Sequence, residues 1–400
     1  MSISICNLNL SLQYILLMIT LLLLKVDSRT HPGDIRVLKD LKHGLHPESI
    51  APGSCLSSWD FSVDPCDHIF SDRFTCGFRC DWVASGFFRV TEITLDSVGY
   101  SGSLSSTTWN LPYLQTLDVA DNSFYGSIPD SLSNLTRLRR LSLSMNLLSG
   151  EMPVSLVSLA HLEELYLDKE TVSMDPYHQA STLFDNQISG EVPSTLPVSL
   201  VELSMRNNKL RGKLPVYVGD LEFLQVLDLS HNNLSGPILS VLFDHPSLQQ
   251  LTLSHNNFTF LQVPGSVGLT SKLIAFDSSY NDLRGILPGF LCSMPKLSAL
   301  SLENNKFTGM IPTRYALKVA VPGSKSSSLE RLLLGGNYLF GPIPAALVGL
   351  KPGSANVSLV DNCLYRCPDT FFFCQGGDQK SLVDCKKRFQ PVMPWIRTPN

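Results

Sequence analysis

Residues 114–129 read LQTLDVADNSFYGSIP, and residues 138–153 read LRRLSLSMNLLSGEMP. Laid over each other, they share one frame. Leu114, Leu117, Val119, Asn122, Phe124, Gly126, Ile128 and Pro129 match Leu138, Leu141, Leu143, Asn146, Leu148, Gly150, Met152 and Pro153. Working outward, the asparagine position recurs at 98, 122, 146, 170, 186, 208, 232, 256, 281, 305, 337 and 362. Val98 and Glu170 stand in place of asparagine. The steps are 24, 24, 24, 16, 22, 24, 24, 25, 24, 32 and 25 residues.

A period near 24 with this spacing is a leucine-rich repeat. Within LxL the apolar residues alternate with polar ones, so each repeat offers a short strand with one apolar face. The expected architecture is an α/β-type leucine-rich-repeat solenoid. It is a curved right-handed superhelix with a concave parallel β-sheet, in which each repeat is stable only when stacked. The asparagines should turn inward and satisfy backbone groups of neighbouring turns as a ladder. Val98 and Glu170 should mark weaker turns. The glycine permits a bend, and the Ile-Pro pair ends the segment on the convex side.

The remaining chain frames this array. Ile15 to Leu24 is an apolar run of ten, the length of a signal-peptide core. Cleavage after Ser28 leaves 372 residues and sends them to an oxidising compartment. Cys6 leaves with that segment. Cys55, Cys66, Cys76 and Cys80 precede the repeats, and Cys363, Cys367, Cys374 and Cys385 follow them. Such clusters read as two disulfide-stapled caps, each with three possible connectivities. Cys292 reads as a small buried hydrophobe. The divisions expected are 1–28 signal peptide, 29–87 N-terminal cap, 88–362 about 11–12 repeats, and 363–400 cysteine-rich cap and tail.

The glycine-isoleucine-proline extension, as at Gly309, Ile311 and Pro312, resembles the plant-specific class of extracellular leucine-rich repeats. The cap containing Trp59, Asp64, Pro65, Cys66, Cys76 and Cys80 is similar to that of plant receptor-like proteins without a kinase. More narrowly, it resembles the Piriformospora-indica-insensitive and Too-Many-Mouths type. The resemblance implies recognition of a protein or peptide ligand, a wall component or a receptor-kinase ectodomain. It also implies secretion to the cell wall, the apoplast or the outer face of the plasma membrane. The rival expectation is a structural or enzyme-inhibitor protein of the cell wall.

Charge and motifs exclude other classes. Lys plus Arg is 31 against 35 Asp plus Glu, a net charge of −4, which disfavours a nucleic-acid partner. No P-loop, HExxH or GxSxG occurs, and Ser293-x2-Lys296 lacks partner motifs, so no enzyme is expected. No cofactor is called for. No metal site is called for either, since histidine completes neither cysteine pair. Leu332 to Leu350 lacks charge but is filled by repeat positions, so no membrane span is expected beyond the signal.

Exposed strand positions of the middle repeats offer the binding surface. Tyr166, Phe184, Arg206, His231, His255 and Tyr280 are the candidate anchors, because aromatic and arginine residues dominate binding hot spots. His231 and His255 recur at one repeat offset, so they should stack and could sense acidity. Asn134, Asn233, Asn257 and Asn356 begin N-glycosylation sequons expected on the outside of the solenoid. Residues 169–182 read as a degraded repeat and the least ordered part of the array. Residues 313–328 read as a surface-loop insertion.

Overall fold

The computed structural model describes residues 29–83, 86–168, 186–320 and 327–389. Each turn begins with a strand of three residues, such as Thr116–Asp118, Arg140–Ser142 and Glu164–Tyr166. The series continues through Glu202–Ser204, Val226–Asp228, Gln250–Thr252, Ala275–Asp277, Ala299–Ser301, Arg331–Leu333 and Asn356–Ser358. These pair in parallel and in sequence order. At the N-terminal end, Phe87–Thr94 joins them in parallel and Phe78–Val83 closes the edge antiparallel, which makes a sheet of 12 strands among the described residues. Alternation decides which side chains go in. Leu117, Leu141, Leu165, Leu203, Leu227, Leu251, Phe276, Leu300 and Leu332 are all buried, while their strand neighbours face outward. The buried set forms one continuous core along the array.

The asparagine ladder forms as expected. Asn256 is typical. Its Oδ1 accepts the Leu234 N–H at 2.9 Å, and its Nδ2 donates to the carbonyls of Leu229, Leu253 and Ser254. One amide therefore closes its own turn and ties it to the preceding one. The pattern repeats at Asn122, Asn146, Asn232, Asn281, Asn305, Asn337 and Asn362. At the C-terminal end Gln379 takes over. It accepts the Leu364 N–H and donates to the Leu359 carbonyl, so a longer amide reaches in from the cap to finish the ladder.

The register near residue 170 needs correction. Asn186 accepts the Leu148 N–H and donates to the Leu143 and Leu167 carbonyls, the bonds made by the asparagine that directly follows Asn146. Positions 170 and 186 are therefore not two ladder positions. The ladder thus steps from Asn146 to Asn186, with the strand Glu164–Tyr166 between them. The expectation of poor order across 169–182 falls outside the described residues, as do Phe184 and Glu170. Val98 also stands outside the ladder. Its side chain is exposed, and the first ladder amide is that of Asn122.

Two further features were not anticipated. The second half of each repeat forms its own strands, from Ser101–Ser103 through Asn257–Leu261 in one sheet and from Arg284–Ile286 to Cys363–Leu364 in another. Consecutive turns approach so closely there that a Cβ on Gly190, at φ +84°, would lie 2.9 Å from Glu151 Cγ. In addition, the 313–328 insertion does not form only a loop. Thr313–Ala320 is a helix that buries Tyr315, Ala316 and Val319. Its Lys318 Nζ donates to the Met294 and Ser327 carbonyls, which pins the insertion to its neighbours.

Disulfides staple both ends. Cys55 pairs with Cys76, Cys66 with Cys80, Cys363 with Cys385 and Cys367 with Cys374. Each bond stays within its own cluster. In the N-terminal cap, the helix Pro32–His43 presents buried Asp34, which accepts two hydrogen bonds from Arg89 and one from the Val90 N–H. Cys292 is unpaired and partly buried, and burial pushes its thiol up to about 12. It is packed against the core and is not a reactive thiol. No helix among the described residues is long and apolar enough to cross a membrane.

Candidate functional site

Among the described residues, the one before each ladder asparagine sits in left-handed backbone. Asp121, Met145, Asn207, His231, His255, Tyr280, Asn304 and Asp361 all have φ between 49° and 58°, and Gly336 has φ 68°. The chain must reverse here so that the next side chain can enter the ladder. The N–H of each such residue then bonds to the following turn: His231 to the Ser254 carbonyl, His255 to Ser279 and Tyr280 to Glu303, each at 2.9 Å. Left-handed backbone costs a residue with a Cβ about 1–2 kcal/mol, and Asn, Asp or Gly bears it most easily. Those cheap residues occupy Asn207, Asn304, Gly336 and Asp361. Between them stand two histidines and a tyrosine in unbroken succession.

The three rings form a continuous row. The His231 and His255 centroids are 4.0 Å apart at 14°, and the His255 and Tyr280 centroids are 4.1 Å apart at 10°. The row runs across three adjacent turns at the edge of the concave sheet. Burial pushes His231 down to about 4, with the nearby charges of His255 and Arg206 adding to the shift. Burial also lowers His255, against an opposing pull from Asp277. The pair therefore takes up protons at lower pH than a free imidazole, and the expected sensitivity to mild acidity is displaced downward.

Carboxylates line the same face. Asp277 accepts the Ser279 N–H, and Asp228 accepts from both the N–H and the hydroxyl of Ser230. Burial raises Asp228, and Arg206 draws it back. Burial also raises Glu303, and Asp277 adds like-charge repulsion. Arg206 thus belongs to the ring row by position and charge.

Tyr166 belongs to a neighbouring group. Its hydroxyl donates to Glu202, and the Arg140 guanidinium lies 4.8 Å from its ring centroid. Arg140 also pairs with Glu164 and stands 3.7 Å from Asp118. This cluster of Arg140, Glu164, Tyr166 and Glu202 forms one polar patch on the concave sheet. Of the anchors expected from sequence, Tyr166 sits here, while Arg206, His231, His255 and Tyr280 sit together farther along. Sequence reasoning placed Asp277 and Glu303 on the concave face but missed Arg140. The signal was available, since Arg140 occupies an outward strand position.

The sequons separate by face. Asn134, Asn233 and Asn257 are exposed away from the concave sheet, the latter two at the start of strands in the second sheet. Asn356 differs from expectation. It is exposed, but it begins a concave strand, because its position matches Arg331 of the preceding turn.

Leucine-rich-repeat family models match residues 112–170, 199–221 and 223–244. The fold is the leucine-rich-repeat solenoid. The chain is 36% identical over 87 residues to a probable leucine-rich repeat receptor-like serine/threonine-protein kinase of Arabidopsis thaliana, covering 19% of this chain and 8% of the kinase. The solenoid is also similar to the leucine-rich-repeat ectodomain of the plant membrane receptor kinase GASSHO1/SCHENGEN3 from Arabidopsis thaliana, solved with CASPARIAN STRIP INTEGRITY FACTOR 2. Identity is 31% and the TM-score 0.60, over 72% of this chain and 32% of that one. A third likeness is to the PEPR1–AtPEP1 structure, at 27% identity and TM-score 0.52, over 87% of this chain and 51% of that one. This leucine-rich-repeat chain thus spans about half or less of the length of each of these three proteins.

Proposed function

We propose that this leucine-rich-repeat chain is an extracellular recognition module that binds a peptide or protein through its concave face. The observation that carries this reading is the row His231, His255 and Tyr280. Three large rings occupy left-handed positions that asparagine or glycine would hold at lower cost. The turns at Asn207, Asn304 and Gly336 close without rings, so the turn itself does not require them. The likeness to a receptor-kinase ectodomain solved with a bound factor supports the same reading. Four disulfides suit an oxidising compartment such as the apoplast. The chain acts in this reading without a catalytic step of its own, as co-receptor or soluble decoy. Glycans on Asn134, Asn233 and Asn257 would leave the concave sheet open.

The experiment is affinity capture from apoplastic fluid on the immobilised secreted protein. Recovery of receptor ectodomains or peptides, lost on Arg206→Ala with His255→Ala, supports the proposal. Recovery of wall hydrolases instead favours an inhibitor of those enzymes. Capture unchanged by the concave substitutions would overturn the concave assignment.

A further inference from the structure

The C-terminal cap holds a cavity of about 520 Å³ that shares no residue with the concave sheet. One side of it is a pair of parallel strands from the second half-repeats, Tyr338–Gly341 and Cys363–Leu364, in which Phe340 stands opposite Cys363. The other side is the helix Leu382–Phe389. Ser381 starts that helix, where its hydroxyl accepts the Asp384 N–H at 3.1 Å and donates to the Asp384 carboxylate at 2.6 Å. The Cys363–Cys385 disulfide then ties the helix to the strands. Leu382, Cys385 and Lys386 are spaced i, i+3 and i+4, so the helix sets them on one side, and all three line the cavity.

The lining is apolar apart from two lysines. Phe340, Leu364, Leu382 and the disulfide form the apolar part, and Lys380 and Lys386 complete it. The lysines differ in what they already hold. Lys380 Nζ pairs with the Asp361 carboxylate at 2.6 Å and donates to the Asp361 carbonyl, so its charge is balanced. Lys387, the next residue along the helix, pairs with Asp384. Lys386 forms no ion pair among the described residues. Leu382 lines the cavity yet is 77% exposed, so the cavity opens to solvent on the helix side. The surface leading to it is apolar as well. The residue after each of several repeat glycines lies over the glycine of the next turn. In earlier turns that residue is charged, with Glu151 over Gly190, Glu191 over Gly212 and Lys213 over Gly236. Toward the cap it becomes apolar, with Ile286 over Gly309 and Met310 over Gly341, the neighbour of Phe340.

We propose that this cavity binds a free single-chain amphiphile with an anionic head group, its alkyl chain against Phe340, Leu364, Leu382 and the disulfide and its carboxylate or phosphate at Lys386. The site is separate from the concave face and stands independently of the reading proposed above. Its size falls in the range of about 300–1,000 Å³ typical of small-ligand cavities, which are mostly apolar with a few placed polar groups. An alkyl chain suits the lining because it gains by leaving water and asks for no hydrogen bonds. The sign of the head group follows from Lys386, a cation with no carboxylate of its own, whose flexible stem lets the ammonium reach the mouth of the cavity. The concave shape favours a single chain over a bilayer surface, which is flat and takes up protruding side chains.

The test is equilibrium dialysis of the full secreted chain against radiolabelled amphiphiles kept below micelle-forming concentrations. Dodecanoate and dodecyl phosphate should each bind at about one per chain, and dodecyltrimethylammonium about tenfold or more weaker. Decanoate should bind about tenfold weaker than dodecanoate, the loss expected for two methylenes. Phe340→Ser with Leu382→Ser should weaken dodecanoate about tenfold or more, and Leu382→Ser alone, at an exposed position that the fold does not need, should weaken it measurably. Lys386→Gln should bring the anionic and cationic amphiphiles within about twofold of each other. Val154→Ser with Val216→Ser removes apolar side chains at exposed positions elsewhere and should leave binding within about twofold. Equal binding of the two head-group charges to the parent chain overturns the proposal, and so do equal losses in the two double variants. Co-sedimentation with phosphatidylglycerol vesicles separates the sources. Binding to the vesicles without binding of free dodecanoate overturns the cavity assignment in favour of a membrane surface.

Discussion

The imidazoles of His231 and His255 lie face to face, 4.0 Å between centroids and 14° from parallel. Both belong to left-handed positions one repeat apart, so the stack is set by the period of the array and by nothing local. Arg206 and Asp277 flank them with opposite charges.

This stack makes stability depend on acidity. In the unfolded chain His231 titrates near its ordinary value of 6.5, and in the fold burial holds it at about 4. Between those values the unfolded state carries a proton that the folded state refuses, so stability rises with pH across this window. It should be complete above pH 6.5 and fall as pH drops toward 4. The ring is partly exposed, so solvent screening keeps the effect modest. The check is the urea midpoint of the parent and of His231→Gln at pH 7 and pH 4.5. The parent should lose more stability than the variant, and parallel losses would contradict the assignment.

Asn256→Ala should destabilise the solenoid by about 3 kcal/mol. It strands the Leu234 N–H and the Leu229, Leu253 and Ser254 carbonyls in the core, and an unsatisfied buried group costs about 1–3 kcal/mol. The full cost of four such groups is not expected, because the small side chain can admit water. Denaturant unfolding measures the loss, and a change under about 1 kcal/mol would show that the ladder is dispensable there.

Asp34 and Arg89 form a buried bidentate pair, with Arg89 Nε and Nη2 donating at 2.9 and 2.8 Å. Removing one partner leaves an uncompensated charge, so Asp34→Ala should cost about 3–5 kcal/mol. Replacing both, as Asp34→Leu with Arg89→Met, should recover much of that loss. Thermal unfolding of the two variants tests the sign, and a double variant weaker than the single one would exclude this account.

Replacing Cys55 and Cys76 by serine should destabilise the N-terminal cap by about 3 kcal/mol, from the freedom returned to a 21-residue loop. The loss should stay local. Hydrogen exchange should accelerate around Trp59 and Phe78 and change little near Asn281, because stacked turns interact only with their neighbours. Uniform acceleration along the chain would show a cooperativity that this architecture does not suggest.

A single-residue change in the second sheet has an unambiguous expectation. Gly190→Ala must place a methyl at φ +84° and 2.9 Å from Glu151 Cγ. Backbone strain of about 1–2 kcal/mol should remain even if Glu151 swings aside. Glu151→Ala in the same background would relieve only the contact, so the double variant should recover only part of the stability.

The sequence by itself determined the repeat, its period and its inward residues. A strand has a side-chain period of two and a ladder position allows one residue type, so Leu117, Leu141 and Asn122 announce their burial by spacing alone. It also grouped the cap cysteines. What it left open depended on which distant backbone groups meet. The role of Asn186 as successor to Asn146 rests on its bonds to Leu148 and Leu143, across an insertion that no local pattern brackets. The pairing of Cys55 with Cys76 needed the cap geometry. The second sheet arises only when successive turns stack closely enough for strands such as Lys209–Lys213 and Asn233–Ile238 to bond.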